Sequence, residues 1–432
     1  MMRVPVFFER FEVGALTVAG DGTLSFAYDP RWLATRQAFP LSVTMPLGPE
    51  RFPDAVIAPW IANLLPEERQ LTALARSLGL SAGDTLALLR EIGGDTAGAL
   101  SFEVPGPPED WAYRPLSTFY GLSDPGQALD RHFQDLRQRP FLAGEDGVRL
   151  SLAGGQEKTA LAVIDPSGQP RIGPPRPEDR LAVPMRGAPS TVILKPDNPD
   201  LPGIVENEAY CLTLAARIGI AAAEVFTVPG QHRLALGVVR YDRRITRTGR
   251  LRRLHQEDFA QANALPPGLK YERGTLRGLT LEGLLRTGRH LPPRDDLALM
   301  DQFIFNVLVA NTDAHAKNYS MLLGESPQLA PLYDVSCTLP WPHLVKDLAQ
   351  NICGRKRRPY DLTPAHWSQI AREAGRNPST VRDRVLTLID AMVAQMIATE
   401  ETVCAMPGTT PALVRQVARA VDENAQRLRG RF

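Results

Sequence analysis

Between residues 297 and 311 the chain reads LALMDQFIFNVLVAN, apolar on nearly every side of a helix. A helix without a polar face has nothing to offer water, so it must run through the middle of a core. Whatever fold forms has to wrap this segment. The run that follows, NTDAHAKNYS from 311 to 320, then leaves the core at a fixed place. Charged and amide side chains at the end of a rigid buried element are held to the small tolerance that catalytic groups require.

The remaining segments divide by period. Toward the C-terminus, VRDRVLTLIDAMVAQMI repeats Val381, Val385, Leu388, Ile389, Met392 and Met396 at helical spacing, and TPALVRQVARAVDENAQ places Pro411 in the first turn of a last helix. The first half reads differently. GALTVAGDGTLSFAYD is two alternating runs parted by Asp21-Gly22, a hairpin signature. After Pro66, Leu71, Leu74, Ala75 and Leu78 recur at helical spacing, and a second helix is expected behind a cap at Ser81. This α+β unit should end near Val104. Residues 105–125, with four prolines in their first eleven positions, read as a connector. VRLSLAGGQEKTALAVI suggests two strands around the bend Ala153-Gly154-Gly155. STVILKP suggests another strand, and NEAYCLTLAARIGI a helix that buries Cys211, Leu214, Ala215 and Ile218. Beyond the strand-like LALGVVRYDRR the pattern turns helical almost to the end. The expected fold class is α+β, a strand-rich half before a helical one, without a fixed-period repeat.

A chain of 432 residues can hold two or three domains, each with a core of its own. With 49 basic and 48 acidic residues there is no global field to draw it to nucleic acid or membrane, so such contacts would be local. Cys211, Cys337, Cys353 and Cys404 form no C-x-x-C pair, which argues against a disulfide framework or a structural zinc site. The sequence carries neither a leader-like apolar core at its start nor a stretch approaching the roughly 20 apolar residues of a membrane span. A cytoplasmic protein is the expectation.

Asp313 and Asn318 stand five apart, the spacing protein kinases use between the catalytic-loop Asp and an Asn that holds magnesium. Asp334 follows in PLYDVSC, completing a set of hard oxygen donors suited to that ion. Lys195 ends the strand TVILKP, where an ammonium can meet nucleotide phosphates. Glu208 is its expected partner, because it lies three residues before Cys211 on the same helix face, whereas Glu206 projects off that face. The loop SLAGGQEKT offers small residues and backbone N–H groups that approach phosphate closely. Taken singly, a strand-end lysine is commonly a solvated end and a small-residue loop a mere turn. Their order is more telling: loop, strand Lys, helix Glu, buried helix, Asp-and-Asn loop, second Asp. It is the order of parts in a two-lobed kinase.

The segments SLAGGQEKTALAV, VENEAYC, RYDRR, NTDAHAKNYS and LAPLYDVS together resemble the HipA family of serine/threonine kinases, toxins of bacterial toxin–antitoxin pairs. NLLPEERQ and EIGGDTAGALSFE resemble that family's small N-terminal subdomain, so the likeness covers nearly the whole chain. The resemblance implies a two-lobed kinase-like fold with an extra N-terminal subdomain: 1–125 for that unit and the connector, 126–255 for the nucleotide-binding lobe, 256–432 for the helical lobe. It also implies residue roles. Asp313 would be the catalytic base, and Asn318 and Asp334 would ligate Mg2+. Lys195 would bind ATP phosphates beneath the loop of Ala153, Gly154, Gly155, Gln156, Glu157 and Lys158. Val239, Arg240 and Tyr241 would pass behind the adenine, with His315 and Lys317 counted in the nucleotide set. Ser151 would match the serine whose autophosphorylation ejects the loop and silences the enzyme. Implied partners are a HipB-like helix-turn-helix antitoxin, DNA only through that complex, and a protein substrate such as an aminoacyl-tRNA synthetase. Gly155 stands where a family member can carry Ala, and G-x-G-x-x-G, H-R-D and D-F-G are all lacking.

Three other readings compete. The ATP-binding parts alone also suit a small-molecule phosphotransferase. A metal hydrolase on Asp313, His315 and Asp334 would need further ligands at recognisable spacing. A corepressor role would use RKRR, 355 to 358, and the arginines of RYDRRITRTGRLRR to touch phosphates, although solvated basic loops explain them equally well.

Overall fold

Val4, Val6 and Phe8 alternate with less buried neighbours, and this two-residue period makes β1 (Met2–Phe8) a strand with one face in a core. The computed structural model of the chain describes residues 2–273 and 278–432. β1 pairs with β2 (Phe11–Val18), which turns through Gly22 at φ +85° into β3 (Leu24–Tyr28), as the Asp-Gly dipeptide predicts. With β4 (Arg51–Pro53) and β5 (Leu100–Phe102) they form an antiparallel sheet in the order β4-β3-β2-β1-β5. Packed with it are α1 (Pro30–Leu33), α2 (Asp54–Ala62), α3 (Glu68–Leu78) and α4 (Thr85–Ile92). Leu74 and Ala75 of α3 are buried as expected, while Leu71 and Leu78 lie half-buried against the same core. The cap of α4 is Asp84, not Ser81. Its carboxylate accepts from Ala87 N at 2.9 Å, and a charge at a helix N-terminus is favoured there.

Residues 105–125 are more than a connector. They carry β6 (Ala112–Pro115) and α5 (Leu116–Tyr120), and β6 lies at the edge of the second sheet. An edge strand tolerates proline, which is why its prolines masked it. After α6 (Pro125–Gln138) come β7 (Thr159–Ile164), β8 (Pro170–Arg171), β9 (Arg180–Met185), β10 (Val192–Pro196), α7 (Ile204–Arg217), β11 (Val225–Pro229) and β12 (Leu234–Val239). The sheet runs β11-β12-β10-β7-β9-β6, with β8 beside β7. The strand expected before the small-residue bend does not form. Val148, Leu150 and Leu152 are buried with the alternation that suggested it, but the backbone partner of this stretch is Asp95 of the N-terminal unit, through Asp95 N to Arg149 O at 2.8 Å and Ser151 N to Asp95 O at 3.0 Å.

The second half also holds more sheet than its sequence announces. β13 (Arg243–Ile245) pairs with β14 (Leu251–Arg253), and β15 (His255–Asp258) later receives β16 (Ser320–Leu323) and β17 (Gln328–Leu329). These strands are too short to show a period, and β13 to β15 are also strongly polar. Between them lie α8 (Leu281–Thr287) and α9 (Pro293–Leu308), whose Leu299, Met300 and every residue from Gln302 to Leu308 are buried. α10 (Pro364–Glu373), α11 (Pro378–Cys404) and α12 (Pro411–Arg429) enclose it. The buried face of α11 includes all six residues read from its spacing. Asn424 of α12 donates to Val307 O at 3.0 Å and Leu308 O at 2.7 Å, satisfying carbonyls that the end of α9 leaves open.

Candidate active site

A cleft of about 660 Å³ opens where β10 and α7 face the segments that follow α9 and β17, with Gln156, Glu208, Tyr271, Asp313 and Asp334 on its walls. Lys195, near the end of β10, is 7% exposed. Its Nζ donates to Glu208 Oε1 at 2.6 Å and to Asp334 Oδ1 at 2.7 Å. The expected pairing with Glu208 is therefore formed, while Glu206 turns away to accept from Thr410 N at 3.0 Å. Burial opposes the Lys195 charge, but the Asp334 and Glu208 carboxylates outweigh it and raise the lysine above its ordinary value. In turn Lys195, then Lys158, hold the Asp334 carboxyl well below the usual range against its own burial. Asp334 sits at φ +58°, a left-handed conformation that residues other than glycine seldom adopt. Tyr333 beside it donates to Lys317 O at 2.6 Å, which ties this turn to the loop after α9.

That loop is built on amide contacts. Asn311 Nδ2 donates to Asn306 Oδ1 of α9 at 2.7 Å, and Asp313 N to Asn311 Oδ1 at 3.2 Å. The Asp313 carboxylate opens into the cleft and accepts from the Tyr271 hydroxyl. Asp313 itself is exposed, but the cleft walls beside it, and then the Asp334 charge, push its pKa above the ordinary carboxyl value, with the Tyr271 bond acting the other way. Asn318 Nδ2 donates to Asp313 O at 3.0 Å, leaving its carbonyl oxygen for another partner. An ionised carboxylate on Asp334 and a spare amide oxygen on Asn318 are the hard donors that magnesium takes, so these residues fit the ion.

The small-residue loop crosses the same region. Gly154 adopts φ +101°, and a Cβ there would stand 2.8 Å from Lys158 Nζ. Lys158 donates to Ala153 O at 2.6 Å, and burial pushes its pKa down to about 8. Glu157 turns outward to Arg233 and Arg137, at 3.5 and 3.6 Å. The Ser151 hydroxyl is not an exposed strand group. It is wholly buried and donates to Leu64 O at 2.8 Å.

Five residues that the resemblance counts in the nucleotide set have their side chains engaged within the protein. Arg240 is committed to Asp242, Ser190 and Thr96 O, and the Tyr241 hydroxyl to Gln256. Val239 packs in the core of the second sheet. Lys317 reaches away from the cleft to Asn63, Glu67 and Asp258. His315 is buried edge-on against the Tyr271 ring at 4.9 Å, and burial pushes its pKa down to about 3. The two cations among them, Arg240 and Lys317, are paired inside the protein, with Asp242 and Glu67.

The arginine-rich segment is partly internal. Asp95 Oδ1 accepts from Arg243 Nη2 at 2.8 Å and from Arg253 Nε at 2.9 Å, and its Oδ2 from Ser190 N at 2.9 Å. Arg240, Arg243 and Arg253 are thus structural cations, while Arg244, Arg247 and Arg250 remain exposed. In RKRR, Lys356 folds onto Leu348 O and Ala349 O, and Arg357 onto Ile352 O. Tyr271, Glu67 and Asp95 were not read as site residues from the sequence. Asp95 carries a local mark, an acid amid small residues in GGDTAG, and Glu67 lies within NLLPEERQ, but Tyr271 carries none.

Residues 150–398 match the model of the HipA-like C-terminal domain, and residues 4–103 that of the HipA N-terminal domain. A relative named putative kinase Y4mE, from Sinorhizobium fredii, is 38% identical over 382 residues, 88% of this chain and 87% of that protein. The serine/threonine-protein kinase toxin HipA of Shewanella oneidensis is 32% identical over 328 residues, 72% and 70% of the two chains. The solved structure of the Shewanella oneidensis HipA, HipB and operator DNA complex contains a chain that superposes with a TM-score of 0.81 at 25% identity, covering 99% of this chain and 97% of that one. The α+β architecture is accordingly the kinase-like fold that the order of parts anticipates. The two domain models, the relatives and the shared fold place this chain in the HipA family of serine/threonine kinases.

Proposed function

We propose that this kinase transfers the terminal phosphoryl group of ATP to a serine or threonine hydroxyl of a protein, with Asp313 as the base that orients and deprotonates the acceptor. The observation that carries the assignment of roles is the run Glu208–Lys195–Asp334 across one wall of the cleft, with Asp313 at the end of the buried α9 on another. Lys195, held as a cation, meets the phosphates, and the loop 153–158 lies over them with the Lys158 ammonium. Asp334 and Asn318 would hold magnesium, which when bound neutralises charge on the phosphates. Asp313 accepts the proton from the acceptor hydroxyl as the new oxygen–phosphorus bond forms and the bond to the ADP oxygen breaks. Ser151 is the proposed site of self-inactivation. By resemblance to the family, the external substrate is a translation component such as an aminoacyl-tRNA synthetase. A HipB-like antitoxin is the proposed partner, with DNA reached only through it. The relative solved with HipB and operator DNA supports this.

Two isosteric substitutions test the roles. Asp313→Asn should keep MgATP binding by calorimetry but lose transfer by about 10²- to 10⁴-fold, the usual worth of a general base. Asp334→Asn should weaken binding as well, because a metal ligand is lost. Equal loss of binding in the two variants, or full transfer by Asp313→Asn, would refute the assignment.

A further inference from the structure

The motif NLLPEERQ belongs to the N-terminal unit, yet its first five residues touch both loops of the active site. Asn63 O and Oδ1 accept from Lys317 Nζ of the catalytic loop at 3.1 and 2.9 Å, with the amide orientation set by donation to Pro59 O and Leu265 O. Leu64 O accepts from the Ser151 hydroxyl. Glu67 N donates to Gly154 O of the phosphate loop at 3.2 Å.

The Glu67 carboxylate turns the other way. Oε1 lies 3.0 Å from Lys317 Nζ, and Oε2 takes the ammonium of Lys270. Lys270 in turn is bound to the catalytic loop through its carbonyl, which accepts from Ala316 N at 3.1 Å, and it precedes Tyr271, the donor to Asp313. Burial works against ionisation of Glu67, but Lys317 and Lys270 outweigh it and hold the carboxyl below its ordinary value. The next residue, Glu68, stands at φ +50°, a strained turn of the kind retained where geometry is over-determined by its surroundings.

We propose that Glu67 is a positioning residue of this kinase: its backbone holds the phosphate loop, its side chain holds the catalytic loop, and the N-terminal unit thereby fixes the nucleotide relative to Asp313. This rests on the phosphoryl-transfer reading above. Glu67 touches neither nucleotide nor acceptor. It acts through Lys317, Lys270 and Tyr271, whose placement sets that of Asp313.

Glu67→Gln keeps the shape and the backbone bond to Gly154 but removes the charge that the buried Lys317 and half-buried Lys270 ammoniums require. The test is steady-state turnover of MgATP by the full chain, with water and the chain itself as acceptors, alongside thermal unfolding. Misplacing a catalytic group by about 1 Å costs on the order of 10²-fold. The expected result is therefore a kcat roughly ten- to a hundredfold lower with KM for ATP within about twofold of wild type. Glu67→Asp, which keeps the charge with less reach, should recover an intermediate kcat, and it carries the test should Glu67→Gln fail to fold. A wild-type chain that binds ATP but transfers to neither acceptor overturns the kinase reading itself. A wild-type chain that transfers, beside a Glu67→Gln variant equally fast, overturns only the positioning role. So does a Glu67→Asp variant whose kcat and melting temperature are no better than those of Glu67→Gln.

Discussion

Asp313, the proposed base, shows how one residue would serve a reaction through its neighbours. Asp313 is exposed at the cleft, yet the surrounding cleft walls and the Asp334 charge raise its pKa, while the Tyr271 hydroxyl offsets part of that by donating to the charged form. A base works only when deprotonated. Transfer should therefore be full above the raised Asp313 pKa and fall as pH drops through it, at a higher pH than the ordinary carboxyl value would give. Tyr271→Phe removes the offsetting bond, so its acidic limb should move to higher pH, while the alkaline limb stays. A pH–rate profile of both proteins checks this, and coincident acidic limbs would refute it. At the same scale, Lys317 shows why a residue inside a catalytic motif need not touch substrate. A buried ammonium requires a carboxylate, and Glu67 supplies one from the far side of the loop.

Among the elements, the loop 150–158 has the most consequence. It is pinned from beneath by Leu64 O, by Glu67 N and by the exchange with Asp95, so the closed loop hides the Ser151 hydroxyl altogether. Phosphorylation there requires the loop to leave its seat. A phosphoserine of about −1.5 to −2 charges cannot return to a site whose acceptor is a carbonyl oxygen. Incubation with MgATP should therefore add one phosphate at Ser151 and diminish the thermal protection that nucleotide confers on the folded chain. Ser151→Ala should keep that protection through the same incubation. Mass spectrometry that finds phosphate only at other residues would remove the self-inactivation and leave the kinase standing.

For the whole molecule the question is what fastens the N-terminal unit to the rest. The unit has its own core, built from Val4, Phe26, Trp60 and Phe102 among others, and meets β13, β14 and the end of β12 through Asp95, wholly buried among Arg240, Arg243 and Arg253. Removing one partner of a buried ion cluster strands the others, at a cost of about 3–5 kcal/mol. Asp95→Asn should lose that much in urea unfolding at neutral pH. Against its burial, Arg243, Arg253 and Arg240 hold the Asp95 carboxyl far below its ordinary value. Its contribution is thus present above the unfolded carboxyl pKa and lost as pH falls toward the depressed folded one, and wild type and variant should converge in acid. A deficit under about 1 kcal/mol at neutral pH would show that the cluster is not what binds the unit.

The sequence by itself determined what depends on neighbours within a few turns. The buried second half of α9, although Leu297 at the start of its apolar run is exposed, the buried faces of α7 and α11, the Asp21-Gly22 turn and the pairing of Lys195 with Glu208 all follow from spacing that short-range geometry enforces. The order of loop, Lys, Glu, Asp, Asn and Asp was legible for the same reason, and with it the kinase reading. Edge strand β6 and the short strands β13 to β17 were not, because a few residues with proline or charge show no period. Nor were the partners of the buried charges. Lys317 and Asn63 lie 254 residues apart, and Asp95 and Arg253 lie 158 apart. Local pattern marks a charged residue as one to be solvated or paired. Which of the two occurs depends on the loops that tertiary packing brings against it, and that alone placed Tyr271 in the cleft and Glu67 behind the catalytic loop, buried Asp95 and turned Arg240 and Arg243 of RYDRR inward.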